Sequence, residues 1–505
     1  MSKTLRFAVS LCLVFAMIIT FIACADNKGN DTTTTADNGE TTYETPVFGE
    51  GDDVDNLPEL NYKGAEVSIF HRGGSGFDEE FENSQDATDL VDVAVYKRNR
   101  TVEKRLNVTL KYTGLPWSDG TYNNTIYTAA HSGDNEFDIF SGPSYHIPIL
   151  MVDGCYSDLS KTDYLDFDKV WWANGINDGM AIDGKVFVAT GDISLGYVKY
   201  LHCLIFNEML YHDVYSEDSL YETVSKGDWT VEKMAEVTNG VWEDLDKDGL
   251  NSEGDRFGYV IPNSNLMRAY IDAVNLNIIH VDSDGNAAVW EENQSHVHDA
   301  IETLNAYFGT EDVLYTQDNS NEKSYNIFKD GRAIFVLGRL TDISSTYRDI
   351  KDFTFGVIPL PKWDDSQEDY AVTICGSESV FAICSSLPAD EVERASAVMQ
   401  ALAIESYKSV TPVYYENALK IKYDMGGDKA KMLDFIRGGA TFNPNIQFNK
   451  MITNGDLSDP KACTDYSVTW SILHNPVWIS TFDAQKGAWN DALTKLSEAI
   501  ADIET

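Results

Sequence analysis

Val67-Ser68-Ile69-Phe70, followed by the polar, glycine-rich turn from His71 to Gly76, begins the pattern that decides the fold. The four residues predict a buried strand. Residues 90–106 then predict a helix, because apolar residues recur along one face. The segments that follow alternate in the same way: a strand at 108–112, a helix at 124–130 and a strand at 137–140. Strands that alternate with helices indicate βαβ units and a largely parallel sheet.

Later segments predict a second lobe and a helical end. They are a strand at 187–191 that leaves the first lobe, a helix at 229–241 opened by Thr230, strands at 332–337 and 355–359, and a last helix with Trp489, Leu493, Leu496, Ile500 and Ile503 on one face. About 450 residues remain after the amino-terminal segments, which is too many for one typical core. We therefore expect two lobes.

Charge excludes some partners. The formal net charge of the chain is -43, and a field of that sign repels nucleic acid and anionic lipid. Aromatic residues make up 12% of the chain, with 10 Trp and 26 Tyr. An acidic and aromatic composition favours a neutral polar ligand that is bound by flat apolar faces.

The amino terminus predicts export. Lys3 and Arg6 precede an apolar run at 7–22, which is short for a spanning helix, so residues 1–23 are expected to be a signal peptide. Ala23-Cys24 resembles the bacterial lipobox, in which the Cys thiol receives a diacylglyceryl group; the alternative is an ordinary signal peptide with an incidental Cys. Residues 24–56, rich in Thr, Asp, Asn and Gly, predict a flexible linker that carries the body away from the membrane.

Cysteine usage gives no metal or redox motif. Five cysteines remain in the body, and no CxxC pair occurs among them. We expect mostly buried free thiols at Cys155, Cys203, Cys375, Cys384 and Cys463.

The sharpest local motif is an acidic loop at 244–255. Asp244, Asp246 and Asp248 alternate before Gly249, as in the calcium loop of EF-hands. The further expected ligands are the Leu250 carbonyl and the Asp255 carboxylate, which stands where an EF-hand has Glu; Glu253 is an alternative to it. Hard oxygen ligands around a sharp turn suit Ca²⁺, and we expect a structural calcium. An acidic turn without metal is the alternative.

The chain resembles the extracellular solute-binding lipoproteins of ABC importers, in the maltodextrin-binding-like group. The resemblance rests on Cys24, the βαβ start, Trp171-Trp172 to Asp192-Ile193-Ser194, Lys329-Asp330-Gly331-Arg332-Ala333 and Phe355-Gly356-Val357-Ile358-Pro359-Leu360-Pro361. It implies an α/β, two-lobed periplasmic-binding-protein-like fold (type II) with hinge crossings and a helical C-terminal region. Expected bounds are 57–190 for the first lobe, 191–330 for the second, 331–375 for a return to the first, and 376–505 for the rest of the second.

The same resemblance implies a function. A carbohydrate would be held between the lobes by hinge closure and delivered to ABC permease subunits by a lipid-anchored monomer on the extracytoplasmic face of the membrane. Loops after the strands of an open parallel sheet are where ligand contacts are expected. The candidate contacts are Arg72, Trp117, Ser141, Tyr145, Trp172, Asp192 and Trp363.

Enzyme motifs are weak. Residues 179–185 copy the spacing G-x-x-x-x-G-K, but Val186 replaces the hydroxyl residue that binds Mg²⁺, and a turn at Asp183-Gly184 explains the glycine. His296 and His298 lack an evident third metal ligand. A surface-anchored glycoside hydrolase or a noncatalytic polysaccharide-capture lipoprotein is the competing hypothesis, because the 81 acidic residues allow many carboxylate pairs.

Overall fold

The computed structural model describes residues 55–503, apart from positions 75, 117–118, 216–218, 264, 319, 416–426, 454–463 and 475. Its strands are β1 Ala65–Gly73, β2 Val108–Pro116, β3 Ile139–Pro143, β4 His202–Asn207, β5 Phe257–Ile261, β6 Ile279–Val281, β7 Ala287–Val289, β8 Val313–Tyr315, β9 Ala333–Arg339, β10 Phe355–Ile358, β11 Val372–Thr373, β12 Ser379–Ile383 and β13 Ala440–Thr441. The predicted signal peptide, Cys24, the linker to residue 54, Trp117 and Cys463 lie outside the described residues.

The helices are α1 Leu90–Leu106, α2 Asp119–Ser132, α3 Ile176–Gly179, α4 Leu195–Lys199, α5 Glu208–Val214, α6 Leu220–Ser225, α7 Val231–Thr238, α8 Ala269–Ala273, α9 Gln294–Phe308, α10 Glu322–Lys329, α11 Leu340–Ser345, α12 Ala389–Ser409, α13 Thr411–Val413, α14 Asp428–Gly438, α15 Pro444–Gln447, α16 Asn449–Ile452, α17 Thr464–His474 and α18 Trp478–Ala501. Among the described residues, no helix combines the length and apolar character that crossing a bilayer requires.

The first sheet has the strand order β12-β3-β1-β2. β1 runs parallel to both β2 and β3, with Ile69 opposite Tyr112 and Ile139, and β12 is antiparallel to β3. The predicted βαβ start is confirmed, including the bounds of α1. Asp89 caps the amino end of that helix by accepting from the Val91 amide, and Asn107 ends it in the left-handed conformation.

The second sheet has the order β10-β4-β9-β5-β8. β5, β8 and β9 are parallel, whereas β4 is antiparallel to its neighbours β9 and β10. β5 and β9 are buried on both faces, from Phe257 to Ile261 and from Ala333 to Gly338. Burial on both sides explains their continuous apolar sequences. The carboxyl ends of β5, β8 and β9 therefore meet at one edge.

The chain passes between the sheets through two segments that touch each other. Ala189 pairs with Phe381, Leu201 pairs with Ile374, and His202 Nδ1 lies 2.7 Å from the Thr373 carbonyl. We name residues 189–201 and 374–378 the crossing segments. The strand predicted at 187–191 is replaced by buried extended chain with isolated bridges, because it pairs briefly with several partners.

The predicted lobe boundaries need correction after residue 330. β9 and β10 each pair with β4 in the second sheet, so residues 331–375 do not return to the first sheet. The return is made by β12, and α12 packs against α1 there. After α12 the chain goes back to the second sheet, where α14 contacts β10, α17 contacts α9 and α18 contacts β7. The predicted helical C-terminal region is confirmed.

Candidate functional site

Two strand ends, one from each sheet, approach the second crossing segment. Arg72 follows the buried part of β1, and its Nη1 donates to the Ser377 carbonyl over 3.5 Å. Arg339 is the last residue of β9 and lies beside the Cys375 side chain. We name Arg72, Tyr200, Arg339, Cys375 and Ser377 the crossing site. It is formed by the carboxyl ends of parallel strands, where open α/β sheets bind their ligands.

Tyr200 links the two arginines. The Arg339 guanidinium carbon is 5.7 Å from the centre of the half-buried Tyr200 ring. Burial raises the pKa of Tyr200 to about 12, and the charges of Arg339 and Arg72 partly offset that rise. The ring is therefore a neutral, hydrogen-bonding face between the two sheets.

Of the predicted ligand contacts, the structure brings Arg72, Ser141 and Tyr145 to this region. The Tyr145 amide donates to the Gly376 carbonyl over 3.1 Å, next to the residue that Arg72 contacts. Ser141 lies in β3 and is fully buried, and its Oγ has no hydrogen-bond partner among the described residues. Tyr145 thus stands at the crossing, whereas Ser141 lies beneath it in the sheet.

Three other predicted contacts lie elsewhere. Trp172 is 3% exposed and its Nε1 donates to Gln400 over 2.9 Å, so its side chain packs in the interior. Asp192 is equally buried and is paired with Arg437 over 2.9 Å. Trp363 packs edge-on against His296 of α9, at 5.3 Å, on the second lobe. Trp172, Asp192 and Trp363 are therefore not part of the crossing site.

An aromatic ladder on α17 was missed from the sequence. Tyr466, Trp470 and His474 are four residues apart and stack along one helix face, with ring centres 5.9 Å and 3.8 Å apart. Trp470 is 38% exposed. Trp470 and His474 are exposed and Tyr466 is partly buried, and a contiguous row of aromatic rings at the surface is typical of a ligand-binding surface. The i, i+4, i+8 spacing was the signal that could have revealed it.

The ladder lies on the same edge of the second sheet as Arg339. The His474 ring is 6.3 Å from the ring of Tyr315, the last residue of β8. At the other end of α17, Asp465 pairs with Arg268 over 2.5 Å, just after β5. Because β8 is two strands from β9, about 10 Å separates their ends. One extended ligand can therefore reach both the crossing site and the ladder.

The acidic loop at 244–255 lies at the opposite edge of the second sheet. Arg332, just before β9, donates to the Asp255 carbonyl over 2.9 Å. Carboxylate oxygens of Asp244, Asp246 and Asp255 lie within 4.8 Å of one another, and Asp255 is fully buried. Gly254 allows this approach, because a Cβ there would sit 2.1 Å from Asp246 Oδ2. The predicted carboxylates converge as a hard cation requires.

The remaining expected ligands of this loop are arranged less closely. Asp248 accepts from the Leu250 amide over 2.7 Å and is not part of the converging group. The alternative ligand Glu253 is paired with Lys323 over 2.5 Å, so Asp255 is the better twelfth-position ligand. The three converging carboxylates have no ion-pair partner among the described residues. The donor set fits Ca²⁺.

No protein-family model matches the sequence, and no curated protein is similar to it in sequence. Solved structures are similar in fold. The sugar-binding protein MalE from Xanthomonas citri aligns with a TM-score of 0.56 and 11% identity over 87% of this chain and 100% of its own. UspC of M. tuberculosis aligns with a TM-score of 0.51 and 14% identity over 85% of this chain and 100% of its own. A cyclo/maltodextrin-binding protein complexed with maltotetraose aligns with a TM-score of 0.50 and 13% identity over 88% of this chain and 99% of its own.

The fold is that of the type II, maltodextrin-binding-like solute-binding proteins. The resemblance seen in the sequence is thereby confirmed at the level of the fold. This fold places its two sheets on either side of crossing segments, as observed here. At identities of 11% to 14%, the likeness extends to the fold and not to the identity of any ligand.

Two buried carboxyl groups stand behind the crossing site. Glu378 follows Ser377 and accepts from the Ser144 hydroxyl, and Glu80 accepts from the Ser379 hydroxyl over 2.9 Å. Burial raises the pKa of Glu378 to about 7, and the charge of Glu80 adds to the rise. Burial likewise raises the pKa of Glu80. The crossing is thus built around two buried carboxyl groups whose pKa values are raised by burial.

Stability should accordingly fall between pH 4.5 and 7. In that window the unfolded chain releases the Glu378 proton while the folded chain retains it, so the free energy of unfolding decreases by up to roughly 3 kcal/mol as pH rises. Glu378→Gln should flatten this part of the profile. Urea denaturation at several pH values measures the effect, with the exposed Glu59→Gln as control. An unchanged slope in Glu378→Gln would mean that the carboxyl ionises normally.

Proposed function

We propose that this protein captures an oligosaccharide at the interlobe edge and delivers it to the permease of an ABC importer. The observation that carries the proposal is the exposed ladder of Tyr466, Trp470 and His474 on the same sheet edge as the crossing site. Flat aromatic faces pack against the C–H faces of sugars, while polar groups at the strand ends bind hydroxyls. The fold of the three similar structures supports the same role.

Capture would work by closure of the lobes about the crossing segments. A ligand that touches both the first-lobe Arg72 and the second-lobe Arg339 stabilises the state in which the two are close. Domain closure of this kind is the usual response of periplasmic-type binding proteins. We propose that the closed monomer is the form that the permease recognises.

Hydrolysis is the competing function, and the crossing site does not favour it. Glycosidases need two carboxyl groups that flank the bond to be cleaved. Glu80 and Glu378, the carboxyl groups behind the site, are fully buried and face serine hydroxyls. We therefore propose a binding protein that leaves its ligand intact.

Trp470→Ala should weaken oligosaccharide binding by ten-fold or more, because the largest exposed face of the ladder is lost. Thermal shift against a panel of oligosaccharides first identifies a ligand, and calorimetry then measures its affinity. Tyr127→Ala is the matched control, since Tyr127 is 46% exposed and also stacks on a histidine, His131, but on α2. Equal losses in the two variants, or release of shortened sugars, would contradict the proposal.

We also propose that the protein is a lipoprotein anchored through Cys24 on the extracytoplasmic face of the membrane. Support comes from the basic, apolar and Ala23-Cys24 sequence of residues 1–24. In a bacterial host, wild-type protein should fractionate with membranes and incorporate a fatty-acid probe. Cys24→Ser should lose the label while the folded body remains intact. Labelling that persists in Cys24→Ser would place the lipid elsewhere.

We propose that the loop of Asp244, Asp246 and Asp255 holds a structural Ca²⁺, with Asp248 and the Leu250 carbonyl as further ligands. Three carboxylates within 4.8 Å repel one another, and a divalent cation removes that repulsion. The loop is at the opposite sheet edge from Arg339, which supports a structural role.

Removal of Ca²⁺ with EDTA should lower the Tm, since a cation at a hundred times its dissociation constant stabilises by about 2.7 kcal/mol. Asp246→Asn should abolish the response to both EDTA and added Ca²⁺. Asp284→Asn, in another exposed acidic turn, should retain it. A wild-type Tm that is the same in metal-free buffer with and without Ca²⁺ would reject the site.

A further inference from the structure

Two guanidinium groups from opposite sheets converge on the crossing segment. Arg72 contacts Ser377 and Arg339 lies beside Cys375, and these contacted residues are only two positions apart. Two residues of extended chain span at most about 7 Å. Tyr200 is near both groups. In a chain with a net charge of -43, two cations have thus been placed close together where the ligand is expected.

Arg72 has no counter-ion among the described residues, whereas Asp342 partly compensates the charge of Arg339. Arg72 has no ion-pair partner among the described residues, and its guanidinium lies flat on the Phe77 ring at 3.5 Å. Arg339 reaches Asp342 only over 3.5 Å, and that carboxylate also accepts from the Arg339 amide. Both Nε atoms are buried without a partner among the described residues. The two side chains are only partly buried, but a buried N–H donor without a partner is costly unless another group completes it.

The nearby carboxyl groups do not supply the missing charge. Glu378 accepts from the Ser144 hydroxyl and Glu80 from the Ser379 hydroxyl, and neither forms an ion pair with Arg72 or Arg339 among the described residues. Burial raises the pKa of each, which favours the protonated, neutral form. An anion from outside the chain is therefore the group that the site lacks.

We infer that the captured oligosaccharide is acidic, and that its carboxylate, phosphate or sulfate group binds between Arg72 and Arg339. The inference rests on the proposed function and narrows its ligand class, in contrast to the neutral ligand that composition favoured. A guanidinium group donates two parallel hydrogen bonds to such oxyanions. One arginine from each lobe makes the anion a direct link between the lobes. The neighbouring sugar units then extend about 10 Å to the ladder.

Calorimetry with matched ligands tests the inference. Oligogalacturonides of two to six units are compared with their methyl esters, which keep the sugar and lose the charge; phosphorylated and sulfated oligosaccharides form two further arms. The acid should bind at least ten-fold more tightly than the ester. Arg72→Gln should remove most of that difference, because it weakens binding of the acid much more than binding of the ester.

Two other variants keep the test decisive. Arg72→Lys retains the charge but not the paired donors, so it should fall between wild type and Arg72→Gln. Arg100→Gln is the control for loss of a positive charge, because Arg100 is 51% exposed on α1. Tms for all variants confirm that they fold. Tighter binding in a phosphate or sulfate arm supports the inference and identifies the anion.

The outcomes separate the inference from the proposed function. Acid and ester binding with equal affinity, or an acid preference that survives in Arg72→Gln, overturns the inference and leaves oligosaccharide capture intact. Binding of neutral oligosaccharides alone likewise overturns the inference and leaves oligosaccharide capture intact. If no saccharide of either series binds, oligosaccharide capture itself is overturned, and the acidic ligand with it.

Discussion

The buried ion pair between Asp192 and Arg437 holds together the parts of the chain on which the site depends. Asp192 lies in the first crossing segment, and Arg437 belongs to α14, which packs against the second sheet. Thr411, just after α12, donates to the same carboxylate. The first crossing segment, the chain that returns after α12, and α14 of the second lobe thus meet at one charge. Loss of either partner would leave a buried charge without compensation, which commonly costs 3–5 kcal/mol.

Local sequence patterns predicted the first sheet well, because its order is built from neighbouring segments. α1 begins after Asp89 and ends at Asn107, and both ends are determined by local hydrogen bonds and backbone conformation. The apolar strands β9 and β10 carry no such local information about their partners. Both strands pair with β4, which lies more than a hundred residues earlier in the chain. Because their sequences did not reveal this pairing, the prediction that residues 331–375 belong to the first lobe was wrong. Long-range pairing is decided by packing, which periodicity does not record.

In the candidate sites too, local features could be predicted from the sequence, whereas features that depend on long-range packing could not. The turn of the acidic loop and the convergence of Asp244, Asp246 and Asp255 could be anticipated from the sequence, because side-chain caps such as Asp244 to the Gly249 amide are local. Arg72 was found by its place after a strand, and the same rule applies to Arg339, at the end of a strand that was also predicted. Trp172 could not be distinguished from a ligand contact, because an aromatic residue fits a core as well as a surface. Only the structure shows that the Trp172 side chain is in the interior, where its Nε1 donates to Gln400, a residue far away in the sequence.

The net charge of the chain and the charge at the crossing site act over different distances. A charge of -43 creates a repulsive field around the whole protein, but salt screens it beyond about 8–10 Å. Within hydrogen-bonding distance, the field is set by the nearest groups, which here are the guanidinium groups of Arg72 and Arg339. Composition therefore excludes polyanions that would need to lie along a broad surface, such as nucleic acid. It does not exclude a single anionic group that enters a small basic site, such as the one that Arg72 and Arg339 form at strand ends of opposite sheets.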